Sequence, residues 1–111
     1  TLIALLAFFL CLPAFAQKSL SPAQAKLATE AHQILVIHCG KCHGVGGTRT
    51  DDMFIDHKTL IKEGSVVPKN PAGSPLYTSI VEGDMPKKAR EKFPQAQLEK
   101  IKQWIAAGAK F

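Results

Sequence analysis

The chain has 111 residues, a length that leaves room for one domain only. Of these residues 46% are hydrophobic and 21% charged, a composition typical of a compact globular protein. The net charge is +5, from 14 Lys plus Arg against 9 Asp plus Glu, which favours an acidic protein partner. Only two of the basic residues are Arg, so the clustered arginines of a base-reading surface are missing, and we expect no nucleic-acid partner.

Residues 1–16 form an apolar run that ends in Ala14-Phe15-Ala16, directly before polar Gln17-Lys18. Small residues at both ends of such a triplet are typical of the cleavage site of a secretory signal. The charged start of a signal is missing, so we interpret residues 1–16 as a partial signal peptide and residues 17–111 as an exported domain, periplasmic or otherwise extracytoplasmic. The run is shorter than the roughly 20 apolar residues that span a bilayer. If it is not cleaved, it is the segment through which we expect any membrane association.

A first amphipathic helix is predicted after Ser21-Pro22, which supplies an N-cap followed by a proline in the first turn. The stretch from Ala23 to Val36 contains strong helix formers and no glycine, and it leads directly to Cys39. Its apolar positions recur at three- and four-residue steps and are expected to face the core: Leu27, Ala31, Ile34, Leu35 and Ile37.

Glycines and prolines break up the sequence from Gly44 to Gly73 and predict a long wrapping loop. Inside it, a short helix is predicted around Lys58 to Glu63. A second short helix is predicted from Leu76 to Val81, with Ser74 as its N-cap and Pro75 in its first turn.

The last part of the chain predicts one extended segment and one further helix. Asp84-Met85-Pro86 is expected to be extended, because the residue before a proline avoids the helical region. An amphipathic helix is predicted from about Pro94 to Ala107, with these apolar positions: Leu98, Ile101, Trp104 and Ile105. No alternating strand pattern of useful length occurs, so the predicted fold class is all-α.

The segment Cys39-Gly40-Lys41-Cys42-His43 has the spacing of a c-type haem attachment motif. Two thiols three residues apart can reach vinyl groups on adjacent pyrrole rings, and a histidine directly after the second thiol is placed under the iron. The motif therefore predicts one covalently attached haem c on Cys39 and Cys42, with His43 as a ligand of its iron. Export agrees with this prediction, because c-type haem is attached outside the cytoplasm.

Three other interpretations of this motif fit the sequence less well. A thioredoxin-like redox pair expects a βαβ setting, which a helical chain lacks. A tetrahedral zinc site needs further cysteines or a second spaced pair of histidines. A disulfide between Cys39 and Cys42 would leave the adjacent His43 unexplained.

Met85 is the best candidate for the second protein ligand of the iron. It lies 42 residues after His43, so the intervening chain can wrap around the haem and present the thioether from the opposite face, whereas Met53 follows His43 by only ten residues. The alternative is a bis-His haem, in which the second ligand is one of three histidines: His32, His38 or His57.

Four further segments stand in a recognisable order: Val67-Pro68, Ser74-Pro75-Leu76-Tyr77, Asp84-Met85-Pro86, and Trp104-Ile105 with Gly108-Ala109. Together with the haem motif, they resemble class I c-type cytochromes, most closely the planctomycete-type cytochrome c domain. The resemblance implies a small class I cytochrome c-like fold in which the first and last helices cross beside one haem. It also implies that His43 is the proximal ligand and Met85 the distal one.

The resemblance is incomplete at three places and ambiguous at one. Lys69-Asn70 stands where the family usually turns with Gly-Asp, Lys87 replaces a second proline, and Pro94 replaces a Ser or Thr helix cap. Trp104 would contact the haem or the facing helix by the resemblance, and a plain core aromatic fits the same position equally well.

A haem iron with both axial positions filled can change oxidation state without binding a substrate, so the predicted function is one-electron transfer by a monomeric carrier rather than an enzyme. A basic rim, expected to steer an acidic redox partner or else to be a solvated loop, is formed by Lys87, Lys88, Arg90 and Lys92. Two other functions stay open. The chain could be the haem module of a larger oxidoreductase or surface protein, or a ligand-binding sensor or catalyst whose Met85 leaves the iron.

Overall fold

The computed structural model describes residues 19–87 and 92–111, so the predicted signal segment, residues 1–16, lies outside the described residues. The described part contains four α-helices: α1 (Pro22–His43), α2 (His57–Lys62), α3 (Pro75–Val81) and α4 (Gln95–Ala106). A short 3₁₀ helix, Pro71–Gly73, precedes α3. No strand occurs in these two stretches, which confirms the all-α class. None of their helices is both long and apolar enough to cross a membrane.

Helix α1 begins as the sequence predicts and continues through the haem motif. Ser21 accepts a hydrogen bond from the backbone N–H of Gln24, and the Gln24 side chain accepts one from the backbone N–H of Ser21, so the two form a capping box. The helix continues beyond the stretch from Ala23 to Val36 and ends at His43. Gly40 inside it costs only about 1 kcal/mol relative to alanine, which the surrounding helix tolerates.

Helices α1 and α4 contact each other and form the centre of the core. Ala31 and Leu35 of α1 are at most 2% exposed, as are Ile101 and Ile105 of α4. Burying side chains of the size of leucine or isoleucine contributes about 1.5–3 kcal/mol each. The predicted contact between the first and last helices is therefore confirmed.

Trp104 belongs to this core. Its side chain is 2% exposed, and its indole N–H donates to the Lys110 carbonyl at 3.0 Å. Across the outer side of the same helix pair, Glu30 and Lys100 form an ion pair at 3.1 Å.

One predicted core position of α1 is wrong. Ile37 is 71% exposed, although Ile34 and Leu35 are buried as expected. With 3.6 residues per turn, Ile37 lies about 120° around the helix from Ala31, which marks the middle of the buried stripe. A three-residue step from Ile34 therefore carries the side chain out of that stripe.

The two short helices form where the sequence predicts them, but α3 is held differently. Ser74 is the N-cap residue of α3, as the sequence predicts, but its side chain makes no capping hydrogen bond. Instead, the fully buried Ser74 hydroxyl accepts from the Val67 N–H at 2.8 Å and donates to the Asn70 carbonyl at 2.8 Å. The Lys69 N–H then donates to the Ile105 carbonyl at 2.8 Å, so this loop joins α3 to α4.

Helix α2 is capped by Asp56. The carboxylate accepts hydrogen bonds from the backbone N–H and the hydroxyl of Thr59 at 3.2 and 3.0 Å. The backbone hydrogen bond is the main cause that lowers the pKa of Asp56 below its usual range. The cap sets the start of α2, from which Leu60 enters the core.

The buried hydroxyl of Ser74 yields a stability prediction. Ser74→Ala leaves the Val67 N–H and the Asn70 carbonyl without their side-chain partner, and we expect the free energy of unfolding to fall by about 1–3 kcal/mol. Thr29→Ala is the matched control, because its hydroxyl bonds to the Ala25 carbonyl on an exposed surface, and we expect a change within about 0.5 kcal/mol. Chemical denaturation followed by far-ultraviolet circular dichroism measures both, and equal losses would contradict the assignment.

Candidate functional site

A cavity of about 390 Å³ opens between the C-terminal part of α1, the turn after it and α3. Cofactor pockets in proteins typically measure roughly 300–1,000 Å³. The cavity brings together four residues that the sequence predicts as the site: Cys39, Cys42, His43 and Met85. Its apolar walls include Leu76 and Ile80 of α3.

The three residues of the haem motif share one face of α1. Cys42 and His43 follow Cys39 by three and four positions. Because the helix runs through the motif, side chains at these spacings are neighbours on its surface. The sequence predicted a helix that leads directly to Cys39 but did not predict that it continues through the motif to His43. Helix continuation is what directs all three side chains into one cavity.

His43 is held by two backbone carbonyls. The ring is 8% exposed, and its Nδ1 lies 2.9 Å from the Arg49 carbonyl oxygen and 2.9 Å from the Met53 carbonyl oxygen. A carbonyl only accepts, so Nδ1 carries a proton, and in the neutral ring the lone pair is then on Nε2. Nε2 makes no hydrogen bond with the described part of the chain. This arrangement is typical of metal-ligating histidines.

The two cysteines are free thiols in different surroundings. Cys39 is partly buried and Cys42 is exposed. Burial, with a smaller contribution from the charge of Cys42, raises the pKa of Cys39 to about 11. Cys39 is therefore protonated at neutral pH, whereas thioredoxin-like pairs depend on a lowered thiol pKa. The geometry disfavours that alternative.

Met85 is placed by the end of α3. The backbone N–H groups of Asp84 and Met85 both donate to the Ser79 carbonyl, at 2.9 and 3.1 Å. Gly83 precedes them with φ of +82°, a conformation that glycine adopts without a Cβ penalty. The segment was expected to be extended, but Met85 and Pro86 lie in a bend, because the N–H groups of Asp84 and Met85 turn back onto the Ser79 carbonyl of α3.

Met53 also lines the cavity, next to His43, whose Nδ1 lies within hydrogen-bond distance of the Met53 carbonyl oxygen. Nothing in the sequence marks the Arg49 and Met53 carbonyls for this role. Backbone acceptors exist at every position, and only the folded turn selects these two.

The three alternative histidines are placed less favourably than Met85 for binding a metal in the cavity. His32 and His57 contact Phe111, with ring centroids 5.5 and 4.7 Å away, and neither lines the cavity. His38 does line it, but its Nε2 lies 2.5 Å from the Gln97 side-chain oxygen. Trp104 is not among the lining residues either, so its position is that of a core aromatic.

The predicted basic rim is described only in part. Lys87 is exposed and lies at the edge of the cavity, as does Lys41 of the haem motif. Lys92 is exposed. Lys88 and Arg90 lie outside the described residues.

The sequence matches no protein-family model, no curated protein and no solved structure. The resemblance to class I cytochromes therefore rests on the motif residues and their order alone.

The continuation of α1 through the haem motif yields a second stability prediction. A Cβ on Gly40 would meet Ile55 and Val36 side-chain atoms only at 3.8 Å, an ordinary contact, so Gly40→Ala should raise the free energy of unfolding by about 0.5–1 kcal/mol. Gly83→Ala is the opposite control, because φ of +82° makes a Cβ cost about 1–2 kcal/mol. Thermal unfolding measures both, and a destabilising Gly40→Ala would contradict a helical motif.

Proposed function

We propose that this chain is a c-type cytochrome that transfers single electrons through one covalently bound haem c. Cys39 and Cys42 hold the haem, His43 is the proximal ligand of the iron, and Met85 is the distal ligand. The observation that carries the proposal is the meeting of these four side chains in one cavity. The bound haem supplies an iron that alternates between the ferric and ferrous states.

The surroundings of the proximal histidine support the fit of this group. Two carbonyls hold the proton on Nδ1, so the Nε2 lone pair is available to the iron in every state of the cycle. The buried apolar side chains of Leu76 and Ile80 would limit the access of water to the bound metal. A site with two protein ligands and an apolar wall suits an electron carrier, which has no substrate to bind.

The same proposal extends to the fold and the location of the protein. The contact between α1 and α4 next to the cavity is compatible with the class I cytochrome c-like arrangement of terminal helices beside the haem. The haem would be attached after export, in the periplasm or another extracytoplasmic space, and the domain would act as a monomer.

The distal ligand can be tested with two matched variants. Met53→Leu and Met85→Leu each replace a methionine that lines the cavity by a residue of similar size, which costs less than about 1.5 kcal/mol. We expect Met85→Leu to open the iron, giving a high-spin spectrum and binding of carbon monoxide to the ferrous form. Met53→Leu should keep the low-spin His/Met spectrum.

Absorption and electron paramagnetic resonance spectra of the purified holoproteins measure both. Low-spin spectra in both variants would instead favour His38 or another histidine as the distal ligand. A high-spin spectrum for Met53→Leu alone would contradict the assignment of Met85.

The charge at the cavity edge predicts how the carrier meets its partner. We expect the rate of electron transfer to an acidic redox protein to fall as ionic strength rises, because salt screens the attraction of exposed lysines. At low salt, Lys87→Gln should slow the reaction more than Lys26→Gln, since Lys26 is exposed on α1 away from the cavity. Stopped-flow kinetics measure the rates, and equal effects of the two variants would argue against docking at this edge.

A further inference from the structure

The turn of residues 49–53 is docked on the C-terminal end of α1. The last carbonyls of a helix have no partner within the helix. Here the Cys42 carbonyl accepts the Arg49 N–H at 2.7 Å, and the His43 carbonyl accepts the Ile55 N–H at 3.0 Å. The turn and Ile55, two residues after it, thus supply hydrogen-bond donors to the carbonyls of Cys42 and His43.

The same turn returns two carbonyls to the proximal histidine. The Arg49 and Met53 carbonyl oxygens each lie 2.9 Å from His43 Nδ1. The Arg49 carbonyl also accepts the Met53 N–H at 3.4 Å, which links the two ends of the turn. The orientation of the imidazole ring therefore depends on the shape of this turn.

An ion pair closes the turn through its side chains. Arg49 Nε donates to the Asp52 carboxylate, and both side chains line the cavity. Their side chains are 56% and 53% exposed. An exposed pair of this kind contributes only about 0.2–1 kcal/mol to global stability, so its effect should be sought in the local geometry that it holds.

We propose that the Arg49–Asp52 ion pair is a positioning device for the proximal ligand. It holds the 49–53 turn in the shape that keeps both carbonyls on the proton of His43 Nδ1. The inference rests on the proposed function, in which His43 Nε2 binds the haem iron. Hydrogen bonding at Nδ1 raises the basicity of the ring and so favours the ferric state.

Two single variants break the pair with opposite changes of charge. Arg49→Gln removes a positive charge and Asp52→Asn a negative one, so by charge alone they shift the reduction potential in opposite directions. The exchange rate of the proton on His43 Nδ1 distinguishes the change of charge from the loss of the ion pair. Both variants should loosen the turn and speed the exchange of this proton with solvent by roughly two- to fivefold, the factor that a pair of about 0.5–1 kcal/mol supplies.

Two further variants serve as rescue and control. Arg49→Asp combined with Asp52→Arg keeps the net charge and restores an ion pair, so exchange should return to the rate of the unmodified protein. Lys26→Gln breaks another exposed pair, in which Lys26 and Glu30 stand four residues apart on α1 at 4.0 Å. We expect Lys26→Gln to leave the exchange rate unchanged, because that pair does not touch the turn.

The measurement is nuclear magnetic resonance of the ferrous holoprotein, in which the Nδ1 proton of His43 can be followed, together with the reduction potential. Faster exchange in both single variants and recovery in the double variant are the expected result. Acceleration in Arg49→Gln alone would overturn the proposal and indicate that Arg49 acts on the haem propionates. Unchanged exchange in both single variants, or no recovery in the double variant, would also overturn it. A chain that carries no covalent haem would instead refute the proposed function itself.

Discussion

The packing of α1 against α4 is the interaction on which the candidate site depends. Ala31 and Leu35 are fixed in the core by Ile101 and Ile105. A helix is stiff and rises about 1.5 Å per residue, so fixing Leu35 also fixes the direction of each residue in the next two turns. Those turns contain Cys39 and His43. The packing of the core thus determines the orientation of the residues of the haem motif, even though these residues contribute little to the core.

The opposite wall of the cavity depends on a second set of contacts. The buried Ser74 hydroxyl and the Lys69 N–H attach the loop before α3 to its neighbours, including the Ile105 carbonyl of α4. Helix α3 then directs Met85 through the Ser79 carbonyl. Both walls of the cavity are therefore attached to α4. The distance between the proposed ligands His43 and Met85 is set by this packing rather than by the loops between the helices. Such rigidity would suit the proposed electron carrier, because a haem that kept both ligands would need little rearrangement between oxidation states.

Much of this arrangement could be predicted from the sequence, and the failures have physical causes. The starts of α1 and α3 followed from Ser21-Pro22 and Pro75, because those residues act locally. Ile37 failed because a three-residue step drifts out of a narrow stripe on a helix. The N-cap position of Ser74 was predicted correctly, but not the partners of its hydroxyl, because a serine before a proline looks the same whether its hydroxyl caps the helix or binds the preceding loop. The carbonyls that hold His43 were beyond prediction, since no side chain marks them.

The central claim is that Cys39 and Cys42 bind one haem covalently. Intact mass spectrometry under denaturing conditions tests it directly, on protein exported in a host that expresses the c-type maturation machinery. The account predicts a mass equal to the chain plus one haem, and loss of the covalent adduct when both cysteines are replaced by serine. A mass equal to the polypeptide alone, from a host in which a control cytochrome is matured normally, would contradict it.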